Sequence, residues 1–437
     1  MRRIFSTFAY SDAPRDGCWW DETETRPDWP EARGDLRADV AVIGGGFTGL
    51  SAALHLAEAG VSVAVLDAEY PGWGASGRNG GFCCLGGSFM EGSGLTARYG
   101  AEQAQVFRAA EVAAVDLVAG LLARLGIDAD THSRGETQMA HSRRAMDRLR
   151  RAAQDKPGAV LTEAADLAAQ GMAGPFHGAL TVPVGFGLNP RKYVLGLARA
   201  AAQAGADLYQ KSPAGRIEKI AGGHRIALPQ GSLTAETVLI CTNGYSSEDV
   251  PGWLAGRYMP AQSTVLVTRP LSDDELAAQG WTSDQMAYDT RNLLHYFRLM
   301  PDRRFLFGMR GGMMSSPRAE AAARARTRRD FERMFPAWRT VESPYMWSGM
   351  VCMAANLVPF AGPVPGTTGM FAGLAYHGNG VAMGSYSGRL LADLAQGRTP
   401  ELPYPEPMQR PMRRFPLGRA RRALMPPLYA AMALGDL

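Results

Sequence analysis

The segment DVAVIGG, Asp39–Gly45, is a short apolar run that breaks into glycines, and LSAALHLAEAG follows it with a helical apolar period that Gly60 closes. VSVAVLDA, Val61–Ala68, is a second buried run. Strand, tight turn, helix and strand in about thirty residues are the signature of a parallel βαβ unit. A glycine-rich loop occupies 71–94, and a long helical period runs from about Ala101 to Leu125. ETQMAHS, Glu136–Ser142, reads as a strand, and Arg143–Gln154 reads as a helix with an arginine-studded outer face. Leu188–Gln210 reads as a helix and strand, with Asn189 as cap and Pro190 at the first helical position. TVLICTNGYSS, Thr237–Ser247, is a buried strand ending in a glycine turn.

The style changes over 251–340. Alternating runs such as STVLVTRP and RFLFGMRGG, turn signals and an arginine-rich helix around Ala319–Phe335 suit an antiparallel sheet. From Trp347 the apolar, glycine-rich style returns as far as Gly397. The pattern predicts an α/β (overall α+β) chain: a Rossmann-like cofactor domain made of separated segments, with an inserted antiparallel-sheet substrate domain. The expected divisions are an irregular lead-in over 1–35, cofactor segments 36–100, 181–250 and 341–400, substrate segments 101–180 and 251–340, and a Pro/Met-rich basic tail over 401–437.

At 437 residues, 46% hydrophobic and 20% charged, the chain has the balance of a globular protein with more than one core. A net charge of +4 and no aromatic-and-basic repeat give no reason to expect nucleic acid. The five cysteines show no CxxC pair and no zinc-like spacing, which suits a reducing compartment and no metal. No signal-peptide pattern or bilayer-length apolar run is seen, so a cytoplasmic location is expected.

Gly44-Gly45-Gly46-Phe47-Thr48-Gly49 fits G-x-G-x-x-G, with Gly44, Gly46 and Gly49 at the three glycine positions. They serve a tight turn, backbone approach to pyrophosphate and close helix–strand packing, while the helix aims its free N–H groups at the phosphates. Asp67 stands where an acid grips ribose hydroxyls, followed by Ala68. This fingerprint serves NAD and FAD equally. A second loop, Gly72–Gly81, reads GWGASGRNGG. Its small residues admit a flat ring system, and Ser76, Arg78 and Asn79 offer donors to pyrophosphate or carbonyl oxygens.

DVAVIGGGFTGLSAALHLAEAG, LDA and GASGRNGG together resemble the D-amino-acid oxidase superfamily of FAD enzymes, and within it the gamma-glutamylputrescine oxidase branch. VLICTNGYS, YDTRNLLHYFRLMPDRRFLFG, WSGMVCMAANLVPFAG and FAGLAYHGNGVAMGSYSGRLLADLAQG agree in order, so the resemblance covers roughly 36 to 400. It implies that Ala75, Ser76, Gly77, Arg78, Asn79 and Gly80 lie along the flavin and its phosphates. It also implies that Thr242, Asn243 and Gly244 lie near the adenosine half, and that Gly378, Asn379, Gly380 and Val381 form a return loop ahead of a helix whose N-terminus faces the flavin. A positive helix end there would stabilise a reduced flavin. The branch differs from this chain at Phe82-Cys83-Cys84 and at Met309. Cys352 lies near the position where some relatives tether FAD, but its register differs, so non-covalent FAD is expected.

No second G-x-G-x-x-G is present, so electrons are expected from a small organic substrate. The resemblance implies an amine or amino acid, with hydride passing from the carbon beside nitrogen to flavin N5, imine hydrolysis, and reoxidation by O2 or another electron acceptor. A dehydrogenase feeding a quinone and a non-catalytic FAD-binding regulator are the alternatives. His377, Tyr296 and Arg298 are the candidate catalytic groups, with Tyr288, Arg291 and His295 beside them and Trp347 as wall or core. Alternation puts Tyr296 and Arg298 on one face and His295 on the other, and an arginine here can hold a substrate carboxylate. A structural role for each stays open. The basic tail either packs across the cofactor domain or touches an anionic membrane surface.

Overall fold

The computed structural model describes residues 1–90 and 92–436. Two sheets of eight strands each organise the chain. The first has a parallel centre: Met370–Leu374, Gly231–Ile240, Gly34–Ile43, Val63–Leu66 and Asp207–Tyr209 lie side by side. Phe360–Pro363 closes one edge antiparallel, and a meander over 217–240 extends it. The apolar run read at Asp39–Ile43 becomes the central strand because both faces are covered, which is why its end reads as continuous apolar residues rather than alternation. The helices Phe47–Glu58, Gly92–Leu125, Pro190–Gln203 and Ala382–Ala395 cover one face, and Ile226, Leu254, Tyr258 and Met412 pack on the other. Asn189 caps its helix by accepting from the Arg191 and Lys192 N–H groups, with Pro190 at the first helical position.

The second sheet runs Tyr345–Ala354, Tyr258–Pro270, Arg304–Gly312, His295–Leu299, Ala287–Asp289, Glu136–Met139, Gly178–Val182 and Val160–Glu163. Every pairing is antiparallel except that of Ala287–Asp289 with Glu136–Met139. One face packs on the helix Pro317–Met334 through Phe297, Phe305, Phe307, Phe331 and Trp338, all fully buried. Each such ring contributes roughly 1.5–3 kcal/mol by burial. The other face looks toward the first sheet.

The strands divide differently from the expected segments. Tyr345–Ala354, expected among the cofactor segments, is an edge strand of the second sheet, paired along its length with Tyr258–Pro270. Helix Gly92–Leu125, expected mostly with the substrate segments, packs into the core of the first sheet through Phe107, Val118 and Leu121. From Phe360 onward the chain does belong with the first sheet, through Phe360–Pro363, Met370–Leu374 and the helix Ala382–Ala395.

The lead-in is ordered against the second loop: Trp20 Nε1 donates to Asn79 O at 2.8 Å, and Trp73 Nε1 donates to Asp12 at 2.7 Å. The tail also packs back. Met408 and Met412 enter the cores of the first sheet, and Arg421, 1% exposed, pairs with Glu248 at 2.8 Å. Asp436 accepts from the backbone N–H groups of Asn292 and Leu293. No helix among the described residues is long and apolar enough to cross a membrane.

His295 faces away from Tyr296, as alternation requires, and its two ring nitrogens meet Asp289 at 2.8 Å and Asp330 at 3.3 Å. Burial alone would pull its pKa down, but the two carboxylates outweigh burial and leave it above its ordinary 6.5. Burial opposes ionisation of Asp289 and Asp330 in turn, yet the histidine bonds hold both below 3.8. The histidine's stabilisation is therefore complete below about pH 6.5 and is lost as pH rises through the folded value. The carboxylate contribution is present above pH 3.8 and is lost as pH falls through their lowered values. His295→Gln should lower unfolding free energy by about 3 kcal/mol at pH 6. Urea unfolding at pH 6 and pH 9 should show a smaller deficit at the higher pH.

Candidate active site

The strand Gly34–Ile43 ends in Gly44 at φ +108°, where an added Cβ would lie 2.7 Å from Cys241 O, so only glycine fits this turn. Helix Phe47–Glu58 starts immediately after, with Gly46 at its N-cap position. Asp67 binds the turn through both oxygens: Gly45 N–H donates to Oδ2 at 2.8 Å and Glu69 N–H to Oδ1 at 2.9 Å. Burial pushes its carboxyl up to about 6 against these two bonds. The second loop is tied to the first by Phe47 N–H donating to Ser76 Oγ at 3.0 Å. Two glycine-rich segments thus form one surface.

A cavity of about 420 Å³ extends from this surface into the space between the sheets, in the size range of small-molecule and cofactor sites. Of the expected cofactor residues, Gly44, Gly46, Phe47, Thr48, Asp67, Ala68, Ala75, Ser76, Arg78, Asn79, Gly80, Thr242, Asn243, Gly378, Asn379, Gly380 and Val381 line it. Gly49, Gly77 and Gly244 do not. A Cβ on Gly49 would lie 2.0 Å from Gly44 O, and one on Gly77 2.1 Å from Gly72 O, so both serve backbone packing behind the wall. Gly244 lies against Met350.

Two expected donors are engaged with the chain itself. Arg78, 2% exposed, donates through Nε and Nη2 to Trp73 O and through Nη1 to Ser348 O, with its guanidinium 4.4 Å from the Trp73 ring. Asn79 donates to Ala75 O and Ser76 O and accepts from Gly81 N–H, which fixes the loop's own shape. Both line the cavity as shaped wall.

The catalytic candidates separate. Tyr296 lines the cavity, its hydroxyl 3.0 Å from Ser263 Oγ and its ring edge-on to Phe82. His377 is a correction: its Nδ1 meets Gly87 O at 2.8 Å, and Ala354 N–H donates to its Nε2 at 3.1 Å. Burial holds its pKa down to about 4, so the ring is neutral, fully bonded and off the cavity wall. Arg298 is also off the wall, donating to His132 Nε2 and Leu188 O at 2.7 Å each. Burial brings it down to about 9. Trp347 is fully buried and donates to Arg78 O, a core role. Arg291 pairs with Asp289.

The side chain that the sequence did not single out is Arg310. It lines the cavity, and cross-strand register puts it opposite Ser263, on the Tyr296 face of the sheet. Burial pushes its pKa down, and Tyr296, Cys84, Tyr429 and Tyr288 surround it. Its guanidinium lies 5.5 Å from the Phe89 ring and makes no hydrogen bond or ion pair with a carboxylate among the described residues. Gly378, at φ +106°, comes so close that an added Cβ would be 2.3 Å from Arg310 Nη2. The signal in the sequence was period-two alternation, RFLFGMRGG placing Arg310 in phase with Leu306 and Gly308.

A nucleotide turn with its acid, a second cradle of small residues and a cavity between two sheets define a flavin-dependent oxidoreductase. The chain matches the family described as "DAO: FAD dependent oxidoreductase" over residues 39–394 and belongs to it. It is 33% identical over 424 residues to "Probable oxidoreductase OrdL" of Rhizobium meliloti, covering 93% of this chain and 94% of that one. It is 30% identical over 369 residues to "Gamma-glutamylputrescine oxidoreductase" of Escherichia coli, covering 83% and 84%. The fold matches the crystal structure of glycine oxidase from Geobacillus kaustophilus with a TM-score of 0.71 at 21% identity, covering 86% of this chain and 98% of that one. FAD fits what lines the cavity: the helix N-terminus at Phe47, the half-buried acid Asp67, and small residues wherever backbone forms the wall.

Asp67 should be the residue on which cofactor retention depends most. Asp67→Ala removes two charge-assisted bonds to the turn and any ribose contact, worth about 1.5–3 kcal/mol, or roughly 10–100-fold in FAD affinity. Titrating deflavinated protein with FAD, followed by flavin fluorescence, checks this.

Proposed function

We propose that this enzyme oxidises the C–N bond of a small amine that also carries a carboxylate, an amino acid or a gamma-glutamyl amine. The observation that carries the reading is Arg310: a half-buried guanidinium on the cavity wall, without an anionic partner among the described residues, offers a planar donor pair that a bound carboxylate would engage in a bidentate fork. The similarity to gamma-glutamylputrescine oxidoreductase of Escherichia coli and glycine oxidase of Geobacillus kaustophilus supports it, since both named compounds pair an amine with a carboxylate.

Arg310 anchors the carboxylate, and the Tyr296 and Tyr288 hydroxyls stand beside it to orient the amine. An apolar, closed wall of Phe82, Val265 and Leu294 favours the neutral amine by desolvation. FAD, when bound, supplies the two-electron acceptor for the hydrogen on the carbon next to nitrogen, and the resulting imine passes to water. Gly44–Thr48, Asp67, Ala75–Gly80, Thr242–Asn243 and Gly378–Val381 are the residues that would hold it. The Cys352 thiol on the same cavity is pushed up to about 12 by burial, so it stays protonated and supports non-covalent retention.

The test is anaerobic bleaching of the purified flavoprotein with glycine, L-proline, iminodiacetate and gamma-glutamylputrescine. At least one should bleach the flavin, and readmitted air should restore its colour with formation of hydrogen peroxide. Colour restored by a quinone but not by air assigns the dehydrogenase alternative. Arg310→Met should raise KM for the reactive compound on the order of 10²-fold, the range for removing one member of a buried charge pair. FAD retention should be unchanged. A wild-type KM in Arg310→Met overturns the carboxylate assignment.

A further inference from the structure

A carboxylate behind the cavity wall has no role in the site as described. Glu136 lies on the strand Glu136–Met139, whose register with Ala287–Asp289 sets Gln138 opposite Tyr288. It is 2% exposed. Its Oε1 accepts from the Tyr288 hydroxyl at 3.1 Å, and Gln138 Nε2 donates to that same hydroxyl at 2.7 Å. Its Oε2 is buried without a hydrogen-bond partner among the described residues. Native interiors keep such orphaned atoms only rarely, and a catalytic role is among the usual reasons.

The surroundings define what this carboxylate can do. Burial pushes Glu136 up to about 7, against the Tyr288 bond, Lys156 and the nearby Cys84 thiol and Leu85 backbone N–H. Glu111, from the helix Gly92–Leu125, is also raised to about 7 by burial and by Glu136, with Lys156 and Arg108 opposing. Glu136 is thus a carboxylate that can both lose and regain a proton near neutrality. Tyr288 stands between it and the cavity that Arg310 shares. Burial and Glu136 raise the phenol far above its ordinary value, so it passes a proton on and does not keep the charge. A hydroxyl oxygen has two lone pairs: Gln138 uses one, and the other remains for an incoming N–H.

We propose that Tyr288 and Glu136 form a proton relay that converts the bound substrate's ammonium into the neutral amine, a step that rests on the carboxylated-amine reading above. The substrate N–H bond breaks and its electron pair stays on nitrogen. The proton bonds to the Tyr288 oxygen as the phenol's own proton bonds to Glu136 Oε1. The products are a neutral amine, a neutral phenol and a neutral carboxyl, with no change of oxidation state. Tyr288 touches the substrate, and Glu136 acts through it. Arg310 sets the direction: it fixes the carboxylate, and Tyr288 receives the nitrogen end.

The test follows the rate of anaerobic flavin bleaching against pH, with the four compounds above, in the wild type, Glu136→Gln, Glu136→Asp and Tyr288→Phe. The wild-type rate should fall as pH drops through about 7, where Glu136 takes up its proton. In Glu136→Gln and Tyr288→Phe that limb should vanish, with a loss on the order of 10²-fold at neutral pH, the range for a positioned acid–base group. The deficit should close toward roughly pH 10, where a free amine is already losing its proton to solvent. Glu136→Asp should restore part of the rate. Propionate, a carboxylate without an amine, should perturb the flavin absorbance equally in all four proteins. The infrared difference spectrum of the wild type should gain a carboxylic-acid C=O band on binding 2-aminoisobutyrate, which has no hydrogen to give up, and Glu136→Gln should lack it. A wild-type pH limb retained in both Glu136→Gln and Tyr288→Phe overturns the relay while the substrate reading stands. If no compound bleaches the wild type and propionate perturbs nothing, the substrate reading itself falls. Tyr288→Phe keeps the test decisive should Glu136→Gln fail to fold.

Discussion

The contact on which the rest of the molecule depends is between backbone and backbone. Helix Phe47–Glu58 can reach the end of the central strand only because Gly49 has no Cβ where Gly44 O lies. That approach fixes the helix N-terminus, whose Phe47 N–H then holds Ser76 and with it the second loop. The second loop continues to Gly80, against which the Tyr296 ring is set so closely that a Cβ would come within 2.6 Å. One packing constraint in the first sheet thereby positions a side chain of the second. The space left between them is the cavity.

Buried arginines show how the site differs from its surroundings. Arg78 and Arg298 are fully buried, and Arg310 is half-buried on the cavity wall. The first two have their charge dispersed over carbonyl oxygens and an imidazole, each donated to at hydrogen-bond distance. A guanidinium held in this way is structural: the nitrogens of Arg78 are all committed, and Arg298 leaves only Nε without a partner among the described residues. Arg310 has aromatic rings and hydroxyls around it, and its side chain makes no hydrogen bond to a carbonyl or carboxylate among the described residues. Its donors are available to a ligand in the cavity, which is what the proposed carboxylate anchor requires.

The turn at Gly44–Gly49, its acid and the two kinds of sheet were legible because their signals are local: a strand, a glycine spacing and an apolar period are each contained in one short stretch. The failures are non-local. Nothing near His377 in the chain reveals that Gly87 and Ala354 occupy both ring nitrogens. Arg298 carries the right residue type on the right face, yet Leu188 and His132, far away in sequence, take its donors. Arg310 was legible in principle, because alternation alone puts it in phase with Gly308, which pairs with Tyr296. It was obscured by the glycines around it, which read as a turn. Tyr345–Ala354 was assigned to the wrong sheet for a related reason: composition records how closely backbone approaches the cavity, and both sheets approach it.

The two carboxylates Asp67 and Glu136 complete the contrast. Glu136 is buried and Asp67 half-buried, and desolvation raises both. Asp67 has each oxygen bound to a backbone N–H, so its geometry is rigid and its charge is partly compensated where the turn needs it. Glu136 has one oxygen bonded to a phenol, while the other makes no close hydrogen bond among the described residues and has only the Cys84 thiol and the Leu85 N–H nearby. A carboxylate whose partners are fixed amides has little use for a proton, whereas one whose partner is itself a proton donor can exchange one without moving any heavy atom. The difference between a residue that holds a cofactor and one that handles a proton lies here in the second atom of the hydrogen bond, not in the depth of burial.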